Sequence, residues 1–117
     1  MKSGTDLITD AKARITEVDA AQALRAHATS GTTFLDVRDQ QEVNLGRIPG
    51  AIHISRGTLE TRAEGALPRD AHIVIYCGSG NRSALAADTL QQMGYAHVSS
   101  LAGGFRAWAE AGGDIDG

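Results

Sequence analysis

Apolar and polar positions along this chain follow two alternating rhythms. Thr33-Phe34-Leu35-Asp36-Val37, Ala51 to Ile54, Ile73-Val74-Ile75-Tyr76 and Val98 to Leu101 are short runs rich in β-branched and aromatic residues. Glycine, proline or polar residues bound them, which predicts buried strands. Between them apolar residues recur at helical spacing. Leu7, Ile8, Ala11 and Ile15 predict a short leading helix over residues 5–13 with Thr5 as its N-cap. Thr16 and Asp19 resemble a capping pair before a second helix, whose face is Ala20, Ala23, Leu24 and His27. His27 is expected at the exposed end of that helix.

Arg38 and Glu42 then sit four apart on a helical turn, and Ile48-Pro49-Gly50 reads as a turn. Gly57 to Glu60 predicts one helical turn before a polar loop ending at Pro68-Arg69-Asp70. Ala84 to Met93 predicts a helix burying Ala86, Leu90 and Met93 and stopping at Gly94, a residue suited to the position after a helix end. Gly104 to Ala111 predicts a closing helix, and residues 112–117 a frayed tail. Strands alternating with helices imply an α/β fold: a parallel sheet covered by helices on both faces. No repeat or linker interrupts residues 1–117, which read as a single domain with the leading helix at one end.

Composition narrows the function classes. A chain of 117 residues, 42% hydrophobic and 21% charged, can bury a core without disulfides or metal. The net charge of −3 argues against nucleic-acid binding, so any anion site must be local. The N-terminal residues lack the apolar stretch of a signal peptide, and the longest apolar runs are too short to span a bilayer. The single cysteine, Cys77, cannot form an intrachain disulfide and suits a reducing compartment. A cytoplasmic protein with no membrane partner is expected.

Cys77 is also the centre of the candidate chemistry. It stands between a predicted strand and a predicted helix, at the strand's C-terminal end, where α/β folds bind ligands. Gly78 and Gly80 permit backbone conformations closed to other residues, so successive N–H groups can curl around the sulfur. The helix N-terminus beyond adds partial positive charge, favouring a thiolate and an anionic substrate beside it. A thiolate is the nucleophilic form of cysteine, so a reactive sulfur is predicted.

Three ordered motifs carry a family resemblance. Cys77-Gly78-Ser79-Gly80-Asn81-Arg82-Ser83 resembles the C-x-x-G-x-R-S loop of the rhodanese sulfurtransferases. Leu35-Asp36-Val37-Arg38, Glu42 and Gly46-Arg47-Ile48-Pro49-Gly50-Ala51 are similar to that family's L-D-V-R-x-x-x-E-x-x-x-G-H-I-x-G-A signature. Leu101-Ala102-Gly103-Gly104-Phe105-Arg106-Ala107-Trp108 resembles its closing G-G-x-x-x-W element. Together they span roughly residues 14–113, leaving the leading helix outside. The resemblance implies a three-layer rhodanese-like sandwich around a mainly parallel five-stranded sheet. It implies Cys77 as the catalytic residue, with Gly78, Ser79, Gly80, Asn81, Arg82 and Ser83 binding substrate, and no cofactor or metal.

The implied reaction moves a sulfane sulfur from thiosulfate or a similar small anionic donor, through a persulfide on Cys77, to cyanide or a thiol. Inward N–H groups would ease the meeting of two anions. With no second cysteine to resolve the persulfide, the acceptor must be external: a small thiol, thioredoxin or another sulfur-handling protein. A second reading is a non-catalytic or sulfur-relay module serving a protein partner. A third, remote reading is a cysteine-dependent phosphatase or arsenate reductase. Such phosphatases space cysteine and arginine as C-x5-R, whereas Cys77 and Arg82 are C-x4-R.

Other residues have weaker chemical readings. His53, His72 and His97 lack diagnostic spacing for a cysteine-histidine hydrolase, and His72 opens the Cys77 strand at its far end. Arg82 has two readings of equal weight: holding the anionic donor, or pinning the loop to Asp36 or another carboxylate. Asp36 and Arg38 read as supports that brace neighbouring loops, and Trp108 as core. Arg47 stands where the family commonly has histidine, with only a changed surface contact expected. Gly78 departs from relatives that carry a large or charged side chain after the cysteine, which leaves room for a bulkier donor than thiosulfate.

Overall fold

The computed structural model describes all residues, 1–117. Five strands form one wholly parallel sheet: β1 (Thr16–Val18), β2 (Thr32–Asp36), β3 (Ile52–His53), β4 (His72–Tyr76) and β5 (Val98–Leu101), in spatial order β1-β5-β4-β2-β3. Strand β4 lies at the centre, where both its edges are paired and both its faces covered. Its continuous apolar run is the sequence such a position requires. Alternation sorts its side chains between two cores: Ile73, Ile75 and Cys77 turn to one face, Val74 and Tyr76 to the other.

Six helices complete the layers: α1 (Gly4–Arg14), α2 (Ala20–Ala28), α3 (Gln40–Asn44), α4 (Leu59–Ala66), α5 (Asn81–Gln92) and α6 (Gly104–Glu110). On one face, Leu59 and Ala63 of α4 and Ala86, Ala87 and Leu90 of α5 pack with Leu35, Ile73 and Ile75. On the other, Ala23 of α2 and Trp108 of α6 pack with Phe34, Val74, Tyr76 and Leu101. This is the α/β three-layer arrangement expected, with its five-stranded sheet parallel throughout. Helix α1 lies against α5, burying Ala11, while Arg14 forks onto Asp88 at 3.0 and 2.8 Å. No helix is long and apolar enough to cross a membrane.

Several sequence expectations need correction. Helix α1 is capped by Ser3, in a reciprocal capping box with Asp6, rather than by Thr5. Thr16 opens edge strand β1; Asp19 is the α2 N-cap and pairs with Gln22. The polar stretch after Gly57 is the eight-residue helix α4, because Leu59, Ala63 and Leu67 reach the core at helical spacing. Met93 is only partly buried, at the rim of that core. His27 is half-buried: its Nε2 donates to Pro49 O at 2.8 Å, and its ring meets Phe34 and Trp108 edge-on at 5.2 and 5.3 Å.

Residues 112–117 are docked, not frayed. Trp108 Nε1 donates to Asp114 O at 2.8 Å, and a Cβ on Gly113 would fall 2.2 Å from the Trp108 ring. Arg47 and Asp116 exchange two backbone hydrogen bonds, at 2.8 and 2.9 Å. These are backbone bonds, and the Arg47 side chain itself is exposed, as expected.

Candidate active site

Cys77 follows directly after β4, and α5 begins at Asn81, so only the four residues Cys77 to Gly80 separate strand from helix. That turn closes because Gly80 adopts φ +105°, in the left-handed region that side chains disfavour. The turned backbone surrounds the sulfur. Gly80 N–H donates to Cys77 Sγ at 3.1 Å, and Ser83 N–H at 3.4 Å. The Ser83 hydroxyl lies 3.4 Å from the same sulfur.

Cys77 is 1% exposed, and burial alone pushes its thiol up. The Ser83 hydroxyl and the N–H groups of Ser83, Gly80 and Ser79 favour the thiolate, and together they outweigh burial. The thiol is held below its ordinary value. Those donors sit at the start of α5, where the helix dipole acts in the same direction.

A second helix holds the loop from behind. Phe105 N–H, in the first turn of α6, donates to Cys77 O at 2.7 Å, and Arg106 N–H donates to Gly78 O at 3.2 Å. These bonds turn the two carbonyls away from the sulfur. So close an approach requires Gly104 to lack a side chain, since a Cβ there would lie 2.5 Å from Cys77 O and 2.7 Å from Gly78 C and O. In the sequence, Gly103 and Gly104 stand out only as part of the closing G-G-x-x-x-W element, with no link to the Cys77 loop. The pair's signal is two adjacent glycines opening a helix, where one would suffice for a turn.

Arg82 is engaged with Glu42 of α3, in a two-point fork at 2.7 and 2.9 Å. Facing Arg82, the Glu42 carboxyl is held well below the usual carboxylate range, to about 2, against the opposing effect of burial. Asp36 is not the partner of Arg82. It turns to the other face and pairs with Arg38, whose Nε and Nη2 reach its oxygens at 2.8 to 3.2 Å. Arg38 Nη2 also donates to Gly46 O at 2.7 Å, and its guanidinium lies 4.4 Å above the Phe105 ring. Asp36 and Arg38 thus knit β2, the Gly46 turn and α6, and neither side chain hydrogen-bonds Cys77.

The remaining predicted residues divide by exposure. Gly78 is partly open, Ser79 and Asn81 are exposed, and Ser83 is buried. A Cβ on Gly78 would meet Arg82 Nη2 at 3.3 Å and Glu42 Oε2 at 3.6 Å, so the ion pair stands directly beside this glycine. His53 Nε2 donates to Arg38 O at 2.7 Å. His72 and His97 stack with ring centroids 4.3 Å apart, and both line a hollow of about 350 Å³ at the opposite end of β4. Ser100, a fully buried β5 residue whose Oγ lies 2.8 Å from Ser83 Oγ, is not among the residues predicted from sequence. Its signal is a small hydroxyl inside a strand otherwise destined for the core.

Comparison with known proteins agrees with this geometry. A sulfurtransferase from Allochromatium vinosum is 35% identical over 99 residues, covering 84% of this chain and 92% of that protein. RPA3614 of Rhodopseudomonas palustris, a protein of unknown function offered as a tyrosine phosphatase candidate, superposes with a TM-score of 0.91 at 35% identity, over 99% of this chain and 96% of that one. The rhodanese-like domain of the Anabaena protein Alr3790 superposes with a TM-score of 0.80 at 32% identity, over 86% of this chain and 78% of that one. The sequence model of the rhodanese-like domain matches residues 19–111, the whole sheet-and-loop unit apart from α1 and β1. With family model, relatives and the backbone cradle around Cys77 in agreement, the chain belongs to the rhodanese-like domain family.

Proposed function

We propose that the protein is a sulfurtransferase that carries a sulfane sulfur as a persulfide on Cys77. The observation that supports this most directly is the ring of Gly80 N–H, Ser83 N–H and Ser83 hydroxyl around the sulfur at 3.1 to 3.4 Å. These donors favour the thiolate, which attacks the outer sulfur of thiosulfate. The new S–S bond forms as the bond to the sulfonate sulfur breaks, and sulfite leaves with the electron pair. Sulfite is already a stable anion, so the step needs no general acid. Charge meeting charge is the main barrier, and fixed N–H dipoles aimed at the sulfur lower it without reorganising.

A second nucleophile then attacks the outer sulfur of the persulfide. Cyanide leaves as thiocyanate, or an external thiolate leaves as a persulfide, and Cys77 returns as the thiolate. The chain holds no other cysteine to compete for that sulfur. Cys77 is 1% exposed, which suits a donor presenting a single slender sulfur atom. Arg82 acts in this reading by holding the start of α5 to α3, because its fork is already engaged with Glu42. The same engagement argues against phosphate-ester hydrolysis, which would require the fork for the phosphate oxygens.

Intact-protein mass spectrometry after thiosulfate treatment, without reductant, tests the proposal. The expected product is heavier by one sulfur atom, is absent in Cys77→Ser, and is discharged by cyanide with thiocyanate formed over many turnovers. Persulfide that forms without turnover would favour a relay module serving a protein acceptor. No added sulfur from thiosulfate or polysulfide, together with hydrolysis of a phosphotyrosine analogue, would overturn the sulfurtransferase reading.

A further inference from the structure

The Ser83 hydroxyl has one proton and two neighbours. Cys77 Sγ lies 3.4 Å from its oxygen on one side, and Ser100 Oγ lies 2.8 Å away on the other. All three groups are at most 1% exposed. A hydroxyl that gives its proton in one direction can only accept from the other. If Ser83 donates to a thiolate, Ser100 must donate to Ser83. If Ser83 instead donates to Ser100, its oxygen faces the sulfur and suits only a protonated thiol.

We propose that Ser100 is a positioning residue for Cys77: its buried hydroxyl donates to Ser83 and so commits the Ser83 proton to the sulfur. The geometry supplies the means. Ser100 belongs to β5, paired in register with β4 at Ile75, two residues before Cys77. A parallel ladder fixes its backbone, and Ser83 Oγ is the hydrogen-bond partner its hydroxyl oxygen meets. Hydrogen bonds in a chain polarise one another, so a donor to Ser83 strengthens the bond that Ser83 gives onward. Ionising Cys77 reverses the direction of both bonds, with no heavy atom required to move.

The inference deepens the reading of Cys77 as a thiolate nucleophile and rests on it. The experiment follows the thiolate itself, by the pH profile of iodoacetamide alkylation of Cys77, so it does not depend on any sulfur donor. Ser100→Ala is expected to alkylate about three- to tenfold more slowly than the wild-type protein at a pH where the latter is only partly ionised, with the profile displaced to higher pH. The rate at high pH, where both are fully ionised, should be unchanged. In a Ser83→Ala background the same substitution is expected to have no further effect, because the link to sulfur is gone.

Ser100→Thr and Ser100→Val provide a pair of equal shape, with and without the hydroxyl, should alanine leave the strand unstable. Threonine is expected to titrate as wild type and valine as alanine. Equal profiles for threonine and valine, or an equal displacement by Ser100→Ala with and without Ser83, would overturn the inference. Neither result would touch the sulfurtransferase reading, which is decided by persulfide formation on the wild-type protein.

Discussion

Helices α5 and α6 both begin on a glycine in the left-handed region, Gly80 at φ +105° and Gly103 at φ +77°, and neither has a side-chain cap. Each therefore leaves first-turn N–H groups for something else to satisfy. At α6 the protein satisfies them itself, through the carbonyls of Cys77 and Gly78. At α5 the N–H groups of the turn and first turn converge on the Cys77 sulfur. One helix start is closed by backbone, and the other is kept for a thiolate. The first makes the second available, because drawing the loop carbonyls towards α6 leaves the loop N–H groups facing the sulfur.

The strongest way to break this division is Gly104→Ala. The added Cβ would lie within 2.7 Å of the loop backbone, which no flexible side chain can relieve. We expect a loss of about 3 kcal/mol in stability, read by urea denaturation, together with slower Cys77 alkylation as the loop is displaced. Gly80→Ala tests the other helix start. Its cost is backbone strain at positive φ plus a contact of 3.2 Å to Gly103 N, about 1 to 2 kcal/mol, with thiolate reactivity again reduced.

Glu42→Gln addresses the clamp that joins α5 to α3. The pair is 36–37% exposed, so about 0.5 to 1 kcal/mol is expected at neutral pH. The pH dependence is more telling. Unfolded Glu42 takes up its proton near 4.5, whereas the folded carboxyl resists until about 2, so its stabilisation is complete above that window and disappears as pH falls through it. The acid limb of the stability profile between pH 4.5 and 2 should be shallower in the variant; an unchanged limb would show that the clamp contributes nothing. The smallest effect is expected from Ser79→Ala, whose side chain is exposed while its N–H remains: within about 0.5 kcal/mol, with unchanged alkylation. A large loss there would transfer the cradle's work from backbone to side chain.

Much of this architecture is legible in the chain. The apolar run Ile73 to Tyr76 followed by glycines at 78 and 80 is enough to place Cys77 between a strand and a helix. Elements whose signals depend on distant residues are not legible. Strand β1 has three mostly exposed residues and no apolar alternation; its backbone pairing with β5 makes it a strand. Helix α4 hides in a polar stretch because its core contacts number only a few. The docked C-terminal segment carries no local preference for order and is held by Trp108 and Arg47.

The site divides in the same way. Local sequence determined where the single cysteine stands and the loop around it, since chain direction, glycine freedom and a helix start are properties of adjacent residues. Tertiary structure decided which carboxylate holds Arg82, because Asp36 and Glu42 are both nearby in sequence and only packing turns the first towards Arg38. It also decided that the glycine pair of α6 presses against the loop, and that Ser100 stands behind Ser83. Those contacts join segments many residues apart, and the distances that make them hydrogen bonds exist only once the parallel sheet has brought β5 beside β4.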